Sequence, residues 1–155
     1  MARIDNDKVI STLNDLITTC RDGQNGFQEA AENVKSADLK SFFLQVSQER
    51  AQFVGELQRE VRALGGDPDK SGSASGALHR AWMDIKGSLT GRDDEAILNE
   101  CERGEDSAVN AYQDALKENL PANINTIVER QFRSVKSVHD RVKSLRDARS
   151  ATSVR

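Results

Sequence analysis

Carboxylates, one histidine and two thiols are the side chains here whose types could do chemistry. A helical di-metal centre takes one Glu from each of two helices and a Glu-x-x-His from each of two others. No Glu-x-x-His occurs in these 155 residues. Glu49 opens Glu49-Arg50-Ala51-Gln52, and Lys136 stands three residues before His139. Arg50 and Lys136 repel a divalent cation, so the residues predict no metal site and no cofactor. A metal reading, with iron or manganese as the ion, would have to use Glu105 and His139, with Glu49 and Glu102 behind them. No nucleophile stands at a defined spacing from a base, and no glycine-rich phosphate loop is present. No catalytic residue emerges.

Cys20 and Cys101 both fall on apolar stripes, where a free cysteine packs as a small hydrophobe. A thiol redox sensor, the third reading, would need an exposed thiol of low pKa. Arg21 and Arg103 are the neighbours that could lower it. Trp82, in Ala77-Leu78-His79-Arg80-Ala81-Trp82-Met83, reads as a packing residue; exposed beside His79 and Arg80 it would mark a partner face.

The elements that must position these groups are helices. Ile10, Leu13, Ile17, Cys20, Gln24, Phe27, Ala31 and Val34 step by threes and fours without a break. Asp5, Asn6 and Asp7 supply a cap, so the first helix is expected over 6–34. The second, 37–64, carries Leu39, Phe43, Val46, Arg50, Phe53, Leu57, Val61 and Leu64. Gly65-Gly66-Asp67-Pro68 stops it. Lys70 to Gly76 reads as loop, and 77–89 as a short helix with Leu78, Trp82, Ile85 and Leu89 on one side. A further helix over 93–118 has Ile97, Cys101, Glu105, Ala108, Tyr112 and Ala115 or Leu116. The last, 123–148, has Ile124, Ile127, Gln131, Val135, Val138, Val142 and Leu145, leaving 149–155 as a frayed tail.

Four helices of roughly 25 to 30 residues, about 40 Å long, must bury their stripes on one another. An all-α antiparallel four-helix bundle satisfies them in one domain over 1–148. The 6–34 and 37–64 helices are joined tightly, as are 93–118 and 123–148, so each pair is antiparallel. The long link over 65–92, with its short helix, can run the length of the bundle. That makes the 37–64 and 93–118 helices parallel. A faint internal echo relates Gly26-Phe27-Gln28-Glu29-Ala30 to Ala111-Tyr112-Gln113-Asp114-Ala115 and sets Cys20 against Glu105.

Each long helix interrupts its stripe with a polar residue near the middle: Gln24, Arg50, Glu105 and Gln131. These form an expected core polar layer. Arg50 and Glu105 pair on adjacent parallel helices, and the two glutamines complete the hydrogen bonds. The guanidinium then stands in place of metal charge. The competing expectation is that Arg50 snorkels outward and never meets Glu105.

Charge excludes further classes. The net charge is -3, but residues 93–106 hold seven acids and one Arg, while 129–155 hold eight bases and three acids. These stretches can neutralise each other across an antiparallel pair. With few aromatics and an acidic balance, no nucleic-acid partner is expected. No apolar run approaches the ~18 residues of a membrane span, and Met1-Ala2-Arg3-Ile4-Asp5 has no apolar leader core. A cytoplasmic location is the expectation.

Several motifs resemble one family. Leu13-Asn14-Asp15-Leu16-Ile17, Cys20-Arg21-Asp22-Gly23 and Gly26-Phe27 are similar to the opening of a bacterial family of ferritin-like four-helix bundles of unknown function. The likeness continues through Leu64-Gly65-Gly66-Asp67-Pro68 and Gly76-Ala77-Leu78-His79-Arg80-Ala81-Trp82. It is densest at Leu89-Thr90-Gly91 and Glu100-Cys101-Glu102-Arg103-Gly104-Glu105-Asp106, and closes with His139-Asp140-Arg141-Val142 and Leu145-Arg146-Asp147. The resemblance implies a ferritin-like bundle with a crossover helix, a bacterial source and a cytoplasmic location. The wider superfamily's di-iron chemistry does not carry over, because the Glu-x-x-His pairs are missing. The resulting expectation is a non-catalytic, stress-associated or protein-interaction module that forms a homodimer through an apolar helix face. A metal-binding protein or oxidase is the alternative.

Overall fold

A computed structural model of the chain describes residues 5–68 and 93–153. Four helices fill these segments: α1 (Asn6–Asn33), α2 (Ala37–Ala63), α3 (Asp94–Leu116) and α4 (Ala122–Ser153). The short helix expected over 77–89, with His79 and Trp82, lies outside the described residues.

Local chemistry sets the ends. Asp5 Oδ1 accepts from the amides of Asp7 and Lys8 at 3.0 and 3.4 Å. Ser36 Oγ accepts from Leu39 N–H at 3.3 Å and Asp93 Oδ1 from Ala96 N–H at 2.8 Å. Each cap satisfies amides that the first helical turn leaves open. At the end of α2, Gly65 N–H donates to Arg62 O and Gly66 N–H to Val61 O, both at 2.9 Å. This is a Schellman closure, and it needs Gly65 at φ 84°. Helix α4 continues to Ser153, past the expected stop at Ala148. The stretch Arg146 to Ser153 contains no glycine or proline to break it.

Contacts between helix ends give the topology. Lys8, at the start of α1, pairs with Glu118, just after α3, at 3.1 Å. Asp94, at the start of α3, accepts from Lys35 and Ser36 N–H after the end of α1 at 2.8 and 3.0 Å. Helices α1 and α3 are therefore antiparallel neighbours. Glu56 meets Arg130 and Glu49 meets Ser134, so α2 and α4 are too. Helix α1 packs against α2 and α3, and α4 against α3 and α2. Helices α2 and α3 are parallel but lie across the bundle diagonal, not side by side as expected. Spacing in a sequence fixes which face of a helix is buried; it does not fix the order of helices around the core.

Among the described residues, the core has two apolar compartments. One gathers Leu13, Leu16, Ile17, Phe53, Leu57, Tyr112 and Val128. The other gathers Phe27, Ala30, Phe43, Val46, Ile97, Leu98 and Val142. Along α2 the switch falls between Val46 and Phe53, and along α3 between Cys101 and Ala108. Arg50 and Glu105 occupy that boundary. The internal echo reappears in burial: Leu13 and Leu98, Cys20 and Glu105, and Phe27 and Tyr112 are all interior. No described helix is long and apolar enough to cross a membrane.

Candidate functional site

The boundary between the compartments holds a fully desolvated ion pair. Arg50 Nη1 donates to Glu105 Oε1 at 2.7 Å, and Nη2 to Oε2 at 2.6 Å. The two side chains are 1% and 0% exposed. A planar guanidinium matches both carboxylate oxygens at once, which an ammonium could not. The pair bridges the diagonal, so the long reach of arginine is what lets α2 touch α3 through the middle of the bundle.

Three features shape its seat. The Phe27 ring lies 5.6 Å from the Arg50 guanidinium carbon. A Cβ on Gly23 would sit 2.9 Å from Arg50 Nη1, so α1 needs glycine there to let the fork in. Among the described residues, Arg50 Nε has no hydrogen-bond partner. Burial works against the guanidinium's charge, but the Glu105 carboxylate more than offsets it and holds Arg50 above its ordinary pKa.

A second polar chain begins one turn away. Cys20 Sγ and Tyr112 Oη are 3.0 Å apart. Tyr112 Oη–H donates to Gln131 Oε1 at 2.7 Å, and Gln131 Nε2 donates to Glu56 Oε1 at 3.1 Å. Burial pushes the Cys20 thiol up to about 11, only partly countered by Arg50 and by the Tyr112 hydrogen bond. Burial also raises Cys101 well above its usual value, with Glu105 and Glu100 adding to it. Tyr112 is raised too, by burial first and then by Cys20. Both free thiols are buried; neither has the exposed, low-pKa character of a sensor cysteine.

The expected polar layer is thus rearranged. Gln131 is interior but serves Tyr112 and Glu56, not the ion pair. Gln24 is half-buried; its backbone carbonyl accepts from Ser47 Oγ at 2.8 Å. Gly23 takes the interior place. Steps of 20–23–27 and 20–24–27 both suit a helical stripe, and a glycine gives no hydrophobic signal to choose between them. Arg50 points inward and meets Glu105, so the outward-snorkelling alternative does not hold.

The fallback ligand set is dispersed as well. Both Glu105 oxygens are held by Arg50. Glu49 accepts from Ser134 Oγ–H on the α2/α4 side. Glu102 and His139 lie together in the α3/α4 seam with Asp106, which the sequence reading did not single out; their donor atoms fall within 4.8 Å of one another. Glu102 and Asp106 are four residues apart on one helix, a spacing that could have flagged them. The interior therefore does not fit a di-metal centre: Glu105, the fully enclosed carboxylate at its middle, is engaged, and a cation fills the space.

Comparisons with known proteins come to the same architecture. The family described as a domain of unknown function (DUF2383) matches residues 8–118. No curated protein matches the chain. A crystal structure of a two-domain protein from Anabaena variabilis, containing dj-1/thij/pfpi-like and ferritin-like domains, superposes with a TM-score of 0.77 at 16% identity. The match covers 94% of this chain and 41% of the Anabaena chain, so this chain spans well under half the length of that protein.

Proposed function

The chain belongs to the DUF2383 family and folds as a ferritin-like helical bundle, and we propose that it is a non-catalytic protein-interaction module. In it, an arginine–glutamate pair occupies the level where metal-binding bundles seat their ions. The observation that carries this reading is the bidentate Arg50–Glu105 contact, sealed on both sides by apolar compartments. A guanidinium supplies the positive charge a carboxylate in that interior requires, without an open coordination position. Such a centre cannot polarise a substrate or exchange electrons.

Other features support the module reading. The interior thiols are shielded and raised, which leaves the redox-sensor alternative without a reactive group. The opposed charges of α3 and α4 are spent on each other, as in Arg146–Glu102. The Anabaena protein joins a ferritin-like domain to a dj-1/thij/pfpi-like one, an arrangement in which the bundle is one part of a larger assembly. Self-association as a homodimer belongs to the same proposal. Leu44, 42% exposed on α2, is the large apolar side chain that the described surface offers it.

Elemental analysis of protein purified without chelator, parent beside Glu105→Gln, tests the reading. Metal content is expected not to depend on Glu105. Two equivalents of iron or manganese per chain that vanish in Glu105→Gln would overturn it.

A further inference from the structure

Outside the core, the α3/α4 seam brings an imidazole and two carboxylates from two helices to one point. Glu102 and Asp106 lie four residues apart on α3, on the face that meets α4. His139 of α4 is 16% exposed and points between them, with Nε2 2.5 Å from Asp106 Oδ1. Its other ring nitrogen, Nδ1, is 3.1 Å from Asp140 Oδ1. Asp140 is itself held by Lys136 Nζ at 3.2 Å. Hydrogen bonds from His139 first, then Lys136, hold the Asp140 carboxyl below its ordinary pKa.

We propose that Glu102, Asp106 and His139 form a mononuclear site for a first-row divalent cation such as Zn2+, Fe2+ or Mn2+. The donor set is mixed: an imidazole nitrogen suits zinc and iron, and carboxylate oxygens suit manganese and iron. Metal–ligand bonds of about 2.0–2.2 Å place neighbouring donors roughly 3.0–3.5 Å apart. The three donors already lie within 4.8 Å of one another, a gap that side-chain rotations close. The two carboxylates neutralise the ion's charge. Asp140 acts as a positioning residue: it holds the proton on Nδ1 while the ion displaces the one that Nε2 donates to Asp106, which leaves the Nε2 lone pair for the metal.

The cation now at the site is Arg146, whose Nη1 is bound to Glu102 Oε2. It competes with a metal for that carboxylate, so the ion enters as the guanidinium swings away. The site shares no ligand with the Arg50–Glu105 pair. It is a surface-seam centre, with Asp106 exposed, unlike an interior di-metal one.

Zinc titration of 15N-labelled protein, read through the imidazole nitrogens by long-range proton–nitrogen correlation, tests the proposal. The chain has two histidines; loss of one responding ring in His139→Gln assigns the signal. The His139 Nε2 resonance is expected to move and saturate at one equivalent of Zn2+ while Nδ1 stays protonated. Asp106→Asn is expected to abolish the response. Asp140→Asn is expected to weaken zinc binding about 10–100-fold and to speed solvent exchange of the Nδ1 proton on the zinc-bound ring. Arg146→Gln is expected to tighten it. An unmoved His139 ring at millimolar Zn2+, or a response that survives in Asp106→Asn, would overturn the site.

Discussion

Removing one member of the Arg50–Glu105 pair is the most informative perturbation of the core. Glu105→Ala leaves a guanidinium that is fully enclosed, next to Phe27 and Gly23, with no carboxylate to neutralise it. An uncompensated charge of this kind costs about 3–5 kcal/mol. With a urea dependence of about 2 kcal/mol per molar for a domain of this size, the midpoint falls by roughly 1.5–2.5 M. Arg50→Met should fall by a similar amount, because it strands the carboxylate. The double variant Arg50→Met/Glu105→Leu behaves differently. It removes both desolvation penalties and leaves apolar groups of similar length between two apolar compartments, so it should match the parent or exceed it by about 1–4 kcal/mol. The singles would sum to far more than the double, and that coupling is the signature of a buried pair. Urea melts of the parent, Arg50→Met, Glu105→Leu and the double variant, followed by helical circular dichroism, give all four corners. A Glu105→Ala midpoint equal to the parent's would refute the reasoning, as would a double variant as unstable as the two singles combined.

Four further outcomes can be measured. Gly23→Ala should destabilise the parent, since its Cβ meets a guanidinium pinned at both nitrogens; in the Arg50→Met background the same change should stabilise by about 1 kcal/mol, the helix preference for Ala over Gly. Both thiols should resist a thiol reagent in the folded protein and react fully in urea. Stability should also fall as pH rises from 9 toward 11, because Cys20 ionises at about 9.0 when unfolded and only at about 11 when folded; the unfolded state loses its proton first, so the stability present below pH 9 is lost across that window. Cys20→Ala should make that part of the profile shallower, the remaining slope belonging to Cys101 and Tyr112. Sedimentation of the full chain should show a dimer, and a species of 17.1 kDa at high concentration would remove self-association from the proposal.

Much of the architecture was legible in the residues. The stripes through Leu13, Ile17, Cys20 and Phe27, and through Phe43, Val46, Arg50 and Leu57, are the buried faces of α1 and α2. The stop at Gly65-Gly66 was readable because the closure there needs a left-handed residue. Less legible was the neighbour order, since the stripes of α2 and α3 would suit adjacent or diagonal placement equally. Reaching across that diagonal depends on the length of Arg50, which no periodicity reports. The inward place of Gly23 was hidden because its role is to be absent as a side chain. At the seam, Asp140 follows His139 in sequence, but only the packing of α3 on α4 brings Asp106 to the same ring.

Anomalous diffraction at the iron and manganese edges, from crystals grown with either ion supplied, tests the central claim most directly. The account predicts an interior with no anomalous peak beside Glu105 and with Arg50 still bonded to both its oxygens. Two peaks about 3.5–4 Å apart in the bundle centre, bridged by Glu105 with Arg50 displaced, would contradict it.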